Sequence, residues 1–171
     1  MKVYLLDTNI WSDWYRGQKY VLNRINKLRG KEHKLMMSPV SWGEFAYGWN
    51  LEKNYRKEEF AKFINSINFQ FCMEIDKHTA NVYGELRALL TKKYDPARKK
   101  KKWIDALEDP TTSQRLGVQE NDLWITCNAI NLGVTLVTAD TKMNRLLEII
   151  PKKHFGNEKE GFNYQIWDKN Q

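Results

Sequence analysis

Polar and apolar positions along this chain follow two different periods. Residues 2–6 (KVYLL) make a near-continuous apolar run that stops at Asp7, and residues 134–138 (VTLVT) make a second, rich in β-branched side chains. Short runs of this kind suit strands covered on both faces. Residues 35–37 (LMM) and 69–75 add two further strand candidates, and residues 163–167 (NYQIW) a fifth. Between them the spacing turns helical. Tyr20, Val21, Leu22, Ile25 and Leu28 fall on one face over 20–28. Ser38-Pro39 offers an N-cap and a first-turn proline to a helix that runs through Trp42, Phe45, Ala46 and Trp49. More helices are predicted over 57–67, 77–90, 122–132 and 141–150, the last two stopped by Gly133 and Pro151. Strands alternating with helices predict an α/β layered fold with a small, mostly parallel sheet. Two stretches stand outside the pattern. Residues 94–118 are polar, first basic and then acidic, with room for one short helix near 103–107, and residues 154–161 read as a charged loop.

Composition narrows this picture. A length of 171 residues suits one domain, spanning 1–171. A chain of this size buries about 70% of its unfolded surface and needs no staple. The two cysteines, Cys72 and Cys127, both lie in apolar segments and read as buried, reduced thiols. No stretch approaches the roughly 18 apolar residues of a membrane span, and Asp7 interrupts the layout of a secretion signal. The expectation is a soluble, cytoplasmic protein.

Charge changes the picture further. The net charge is +7, and between Thr91 and Trp103 seven basic residues oppose only Asp95, a local net of +6. The body is nearly neutral, and one segment, an insertion at about 94–118, carries the excess. A concentrated basic patch reads as a docking site for a polyanion, most often nucleic acid. A solvated lysine run without a partner is the plain alternative.

The acids supply candidate chemistry. In parallel sheets the functional crevice lies beyond the carboxyl ends of the strands. Asp7 and Asp140 each follow an apolar run immediately or nearly so, and Thr8 and Thr138 stand close to them. Asp7 also suits the cap of a following helix. Asp122 and Glu120 sit at a helix start, where a carboxylate complements the helix dipole by about 0.3–1 kcal/mol. Glu44 is three residues after Ser41, the spacing of a capping box. It also lies among Trp42, Phe45, Tyr47 and Trp49, where a charge calls for a partner or a solvated edge. Taken singly, each acid has an ordinary structural explanation.

Taken together, four segments resemble the PIN-domain ribonucleases, closest to the VapC type of bacterial toxin–antitoxin systems. VYLLDTNIW, SPVSWGEFAYG, QENDLWITCNAINLG and VTLVTADTKMNRL occur in the family's order and cover most of the chain. The resemblance implies a small central parallel sheet of about five strands flanked by helices. It implies that Asp7, Glu44, Asp122 and Asp140 gather at one rim as catalytic residues and hold Mg²⁺ or Mn²⁺. Such a cluster suits a hard cation, because carboxylate oxygens are its preferred ligands. Thr8, Asn9 and Thr138 would support those carboxylates. A bound ion of this kind activates water for in-line attack on a phosphodiester, here in single-stranded RNA. Arg98, Lys99, Lys100, Lys101 and Lys102 are candidate RNA phosphate contacts, and Trp103 or Tyr94 candidate base-stacking contacts. An antitoxin protein and a homodimer are the further partners that the resemblance implies. The chain departs from the VapC pattern at 94–118, which is longer than the usual connection and carries the lysine run.

Two other readings compete. A PIN-like module that binds RNA or serves as a scaffold without cleaving needs no gathered acids. A haloacid-dehalogenase-like phosphatase also opens with a strand ending in Asp, but requires a second Asp where this chain has Asn9. His33, His78 and His154 fall in none of the four segments and read as surface or structural.

Overall fold

The opening apolar run becomes the centre of the sheet. In the computed structural model, which describes residues 1–67, 70–71, 74–97, 103–155 and 161–167, strand β1 (Val3–Leu6) lies between β2 (Lys34–Met37) and β4 (Thr135–Thr138). Short β3 (Gln70–Phe71) flanks β2, and β5 (Asn163–Ile166) flanks β4. The order is β3-β2-β1-β4-β5, and every pairing is parallel. Residues 134–138 and 163–167 therefore shorten by a residue at one end. Of the third predicted strand, Gln70–Phe71 is in the sheet and Ile75 lies outside it, while 69, 72 and 73, Cys72 among them, lie outside the described residues.

Alternation along the strands sends side chains to opposite faces. Leu5, Met36 and Leu136 join one core cluster, and Tyr4, Leu6, Leu35, Met37 and Val137 join the other. Helices α1 (Thr8–Tyr15), α2 (Lys19–Arg29), α3 (Pro39–Leu51) and α4 (Asn54–Ser66) lie on the second face. Helices α5 (Lys77–Tyr94), α6 (Glu120–Leu132) and the short α7 (Asn144–Leu147) cover the first. The α/β parallel architecture agrees with the sequence pattern.

Helix α1 was not anticipated by the apolar spacing, although Asp7 was placed to cap it. Its residues Ile10, Trp11 and Trp14 are buried, and Trp11 stacks on Trp14 with ring centroids 5.3 Å apart. The stretch 141–150 is less helical than expected. It opens as a 3₁₀ turn over Thr141–Met143 before α7. Helix α6 ends as the sequence indicates, with Gly133 at φ 62° in the left-handed region that glycine adopts at low cost.

The atypical segment is not a loose insertion where it is described. Ile104, Leu107, Leu116 and Val118 are all buried in the first core cluster. Leu116 N–H donates to the Leu107 carbonyl at 2.9 Å, and Glu108 pairs with Arg115 across the turn. The short helix near 103–107 is a 3₁₀ turn over Ile104–Ala106. Cys127 is buried, and burial pushes its thiol up to about 12, as for an inert core cysteine.

Candidate active site

Strand order reverses at β1. The chain lays β2 and β3 on one side of it and returns to place β4 and β5 on the other. Such a reversal opens a crevice at the carboxyl ends of the two diverging strands. Asp7 follows β1 and Asp140 comes two residues after β4, so both stand at that crevice. The second turn of α3 and the first turn of α6 bring Glu44 and Asp122 to the same place. All four border one cleft of about 350 Å³, with Thr8, Asn9, Ser12, Asp13, Arg16 and Gln119 completing its walls.

Asp7 is the most constrained of the four. It is 2% exposed. Its Oδ1 accepts the Thr8 N–H at 2.7 Å, which also caps α1. Its Oδ2 accepts from Asn9 Nδ2 and from Thr138 Oγ1, both at 2.7 Å. Asn9 and Thr138 are tied together in turn. Asn9 Nδ2 reaches Thr138 Oγ1 at 3.0 Å, and Asn9 Oδ1 accepts the Ala139 N–H at 2.9 Å. Burial pushes the Asp7 carboxyl up to about 6, aided by the charge of Glu44, while the hydrogen bonds from Thr138, Thr8 and Asn9 pull it back.

Glu44 does not form the capping box that its spacing suggested. The cap of α3 is Ser38, whose Oγ accepts the Ser41 N–H at 3.0 Å, so Pro39 opens the helix and Glu44 is already in its second turn. Its carboxylate is held by distant side chains instead. Thr8 Oγ1 donates to Oε2, and Asn121 Nδ2 donates to Oε1 at 2.8 Å.

Asp122 does have a structural role. It completes a capping box on α6 by accepting the Gln119 N–H at 2.7 Å. Burial pushes its carboxyl up to about 7; the Gln119 N–H opposes the shift, and Asp7, Asp140 and Glu44 add repulsion to it. Asp140 accepts the Lys142 N–H at 2.8 Å and donates its own N–H to Thr138 Oγ1 at 3.0 Å. Among the described residues no ion pair reaches any of these four acids. Nor do any three Asp, Glu, His or Cys side chains there converge closely enough to hold an ion as they stand. The acids share a cleft with their oxygens turned toward protein donors.

The nucleic-acid contacts expected from the sequence divide. Trp103 is 76% exposed and lines a second recess with Asp105, Gln119, Glu120 and Asn121. That recess adjoins the acid cleft, because Gln119 lines both and Asn121 holds Glu44. Tyr94 is half-buried beneath the Lys93 ammonium, 5.0 Å from its ring centroid. Arg98 through Lys102 lie outside the described residues. His33, His78 and His154 do not line the cleft, and His154 pairs with Glu85 at 2.9 Å. Sequence reasoning missed Asn121, Gln119, Ser12, Asp13 and Arg16. The first two precede Asp122 within QEND, and the others become visible only once a helix is placed over 8–15.

No helix of the described residues is long and apolar enough to cross a membrane. The fold is shared with solved toxin–antitoxin structures. VapBC2 from Rickettsia felis, solved bound to a DNA fragment from its promoter, superposes with a TM-score of 0.65 at 20% identity, covering 97% of this chain and 99% of that one. VapBC-1 from nontypeable Haemophilus influenzae gives 0.63 at 21% identity, covering 96% and 98%. In sequence, Ribonuclease VapC1 of Haemophilus influenzae strain R2866 is 26% identical over 148 residues, 82% of this chain and 88% of the relative. The sequence model of the PIN domain matches residues 4–148, so the chain belongs to the PIN domain family.

Proposed function

We propose that this protein is a divalent-metal-dependent endoribonuclease of single-stranded RNA and the toxin of a toxin–antitoxin pair. The acid cleft carries the reading: four carboxylates border one recess, two are held well above the usual aspartate range, and none has a cationic partner among the described residues. The relatives named as VapC ribonuclease and as VapBC assemblies support the toxin role.

The donor set fits Mg²⁺ or Mn²⁺, since it is all oxygen. Asp7, Glu44, Asp122 and Asp140 would hold the ion. Two carboxylates about 5 Å apart repel by roughly 3 kcal/mol at an effective dielectric near 20. When bound, the ion supplies Lewis acidity toward a phosphoryl oxygen and lowers the pKa of water. The chain's own side chains do the remaining work. Thr8, Asn9 and Thr138 fix Asp7 at three points, and Thr8 and Asn121 orient Glu44. Gln119 fixes one oxygen of Asp122. Asp140, held at Oδ1 by Lys142 N–H, would use its second oxygen either as a ligand or to orient the attacking water. In-line attack then leaves a 3′-hydroxyl and a 5′-phosphate. Trp103, at the adjoining recess and next in sequence to the lysine run, stacks on a base while Arg98 to Lys102 contact phosphates.

The test is incubation of the purified protein with single-stranded RNA and Mg²⁺ or Mn²⁺, beside Asp7→Asn. Wild type cleaves, and the variant loses about 100-fold or more, as a disturbed metal ligand should. Equal degradation by both proteins refutes the site. Binding without cleavage by wild type transfers the protein to the non-cleaving RNA-binding class.

A further inference from the structure

A larger recess of about 420 Å³ opens beside the acid cleft. The two are contiguous, because Thr8, Ser12, Arg16 and Glu44 line both. Its walls differ from those of the cleft. Tyr15, Phe45, Trp49 and Phe60 supply aromatic surface. Phe60 is buried at their centre, with ring centroids 5.5 Å from Tyr15, 5.3 Å from Phe45 and 5.0 Å from Trp49. Carboxylates stand around it as well: Glu44, Glu52 and Glu59, with Arg56 spending its guanidinium on Glu52 at 3.0 Å.

One lining residue has no reason in the fold to be what it is. Gly48 lies inside α3, where glycine weakens a helix relative to alanine. Its backbone is not left-handed, and among the described residues a Cβ built on it would meet nothing within 4 Å. Gly43 and Gly84 share that freedom, but both are exposed, whereas Gly48 is half-buried and lines the recess. The missing side chain thus leaves open space in the wall of the recess beside the acids.

We propose that this slot is a subsite for one unstacked nucleobase of the RNA strand whose phosphate lies at the acid cleft. The proposal rests on the ribonuclease reading and goes beyond it by placing a base. Aromatic walls offer stacking faces to any base. The carboxylates around the slot repel a phosphate and accept hydrogen bonds from the N–H edge of an uncharged base. The shared wall supplies the reach, since a strand whose phosphate lies at the acid cleft has its neighbouring nucleotide at the mouth of the slot. Arg16, exposed at the junction, faces the connecting phosphate.

Gly48→Leu tests this without disturbing packing, because the new side chain enters open space. Cleavage kinetics are measured on a single-stranded oligoribonucleotide with one scissile bond, and on versions with an abasic residue on either side of that bond. The slot requires Gly48→Leu to raise KM about tenfold or more on the intact strand, the scale of one lost stacking contact. It also requires wild type and variant to converge on one abasic strand, and the variant's melting temperature not to fall. Trp49→Ala should reproduce the KM effect and Trp49→Phe should recover most of it. An unchanged KM for Gly48→Leu overturns the slot while leaving the ribonuclease reading intact. So does an equal loss on intact and both abasic strands, which would mean a blocked path rather than a lost base contact. Unchanged RNA kinetics with weakened binding of a protein inhibitor would assign the slot to a peptide instead. Absence of metal-dependent cleavage by wild type removes the ribonuclease reading itself, and the subsite with it.

Discussion

Replacing Asp122 by asparagine isolates the electrostatic cost of the acid cleft. Burial and the surrounding acids lift its carboxyl from 3.8 to about 7. A shift of that size is worth about 4 kcal/mol between its two protonation states. The folded protein then holds a proton that the unfolded chain has released, so stability falls as pH rises from about 4 to about 7 and stays low above that. Asp122→Asn removes this loss and keeps an oxygen for the Gln119 N–H. The Gln119 bond is already counted in that shift, so the variant gives up only the interaction with the dipole of α6, about 0.3–1 kcal/mol. The net expectation is a variant about 3–4 kcal/mol more stable than wild type at about pH 8 and no more stable at about pH 4. Urea unfolding in chelator at both pH values reads this directly. Saturating Mn²⁺, at about 100 times its dissociation constant, should then add about 2.7 kcal/mol to wild type and less to the variant. A variant no more stable at the higher pH, or equally favoured at both, refutes the frustrated-carboxylate argument whatever the enzyme does.

Three further outcomes follow from particular contacts. Thr138→Val removes a donor to Asp7 and an acceptor for Asn9 and the Asp140 N–H, so it should cost about 1–3 kcal/mol in urea unfolding; because that donor lowers the Asp7 pKa, the acidic limb of the pH–rate profile should move to higher pH. Leu116→Ala should cost about 2–5 kcal/mol, since the side chain is buried against the α5 and α6 core; a loss below about 0.5 kcal/mol would mean that residues 103–118 do not pack as described. Trp103→Ala should leave stability within about 0.5 kcal/mol and weaken single-stranded RNA binding about tenfold, measured by fluorescence anisotropy, and unchanged binding would remove Trp103 from the RNA path.

The fold was legible where burial is continuous. VYLL and VTLVT are apolar because both faces of a central strand are covered, and that signal needs no context. It fades at the sheet edge, where β3 is two residues long and β5 is largely exposed. Helix α1 stayed hidden for a different reason. Its eight residues begin with Thr-Asn and include Ser12 and Asp13, so the apolar stripe of Ile10, Trp11 and Trp14 is too short to show a period. In 103–118 the buried residues are separated by polar ones without regular spacing, because a loop packed on a core follows neither period.

The candidate site was legible for a reason that also makes its residues look ordinary. Three of the four acids cap backbone: Asp7 on α1, Asp122 within the box of α6, and Asp140 on the turn after β4. A short carboxylate held by the N–H of its own segment cannot swing away, so the cap fixes the position of the group. Capping and site function are therefore not rival explanations of these residues, and a sequence showing a cap does not argue against chemistry there. Glu44 is the exception that supports this. Its cap assignment fails because Pro39 fixes the first turn of α3 and hands the cap to Ser38. A longer side chain in a second helical turn has no local N–H to hold it, and here Thr8 and Asn121, from two other elements, supply the bonds. Thr8 follows one acid and Asn121 precedes another. Two of the three capped acids, Asp7 and Asp122, each bring a neighbouring side chain with them, and these two neighbours position the one acid that no cap can hold.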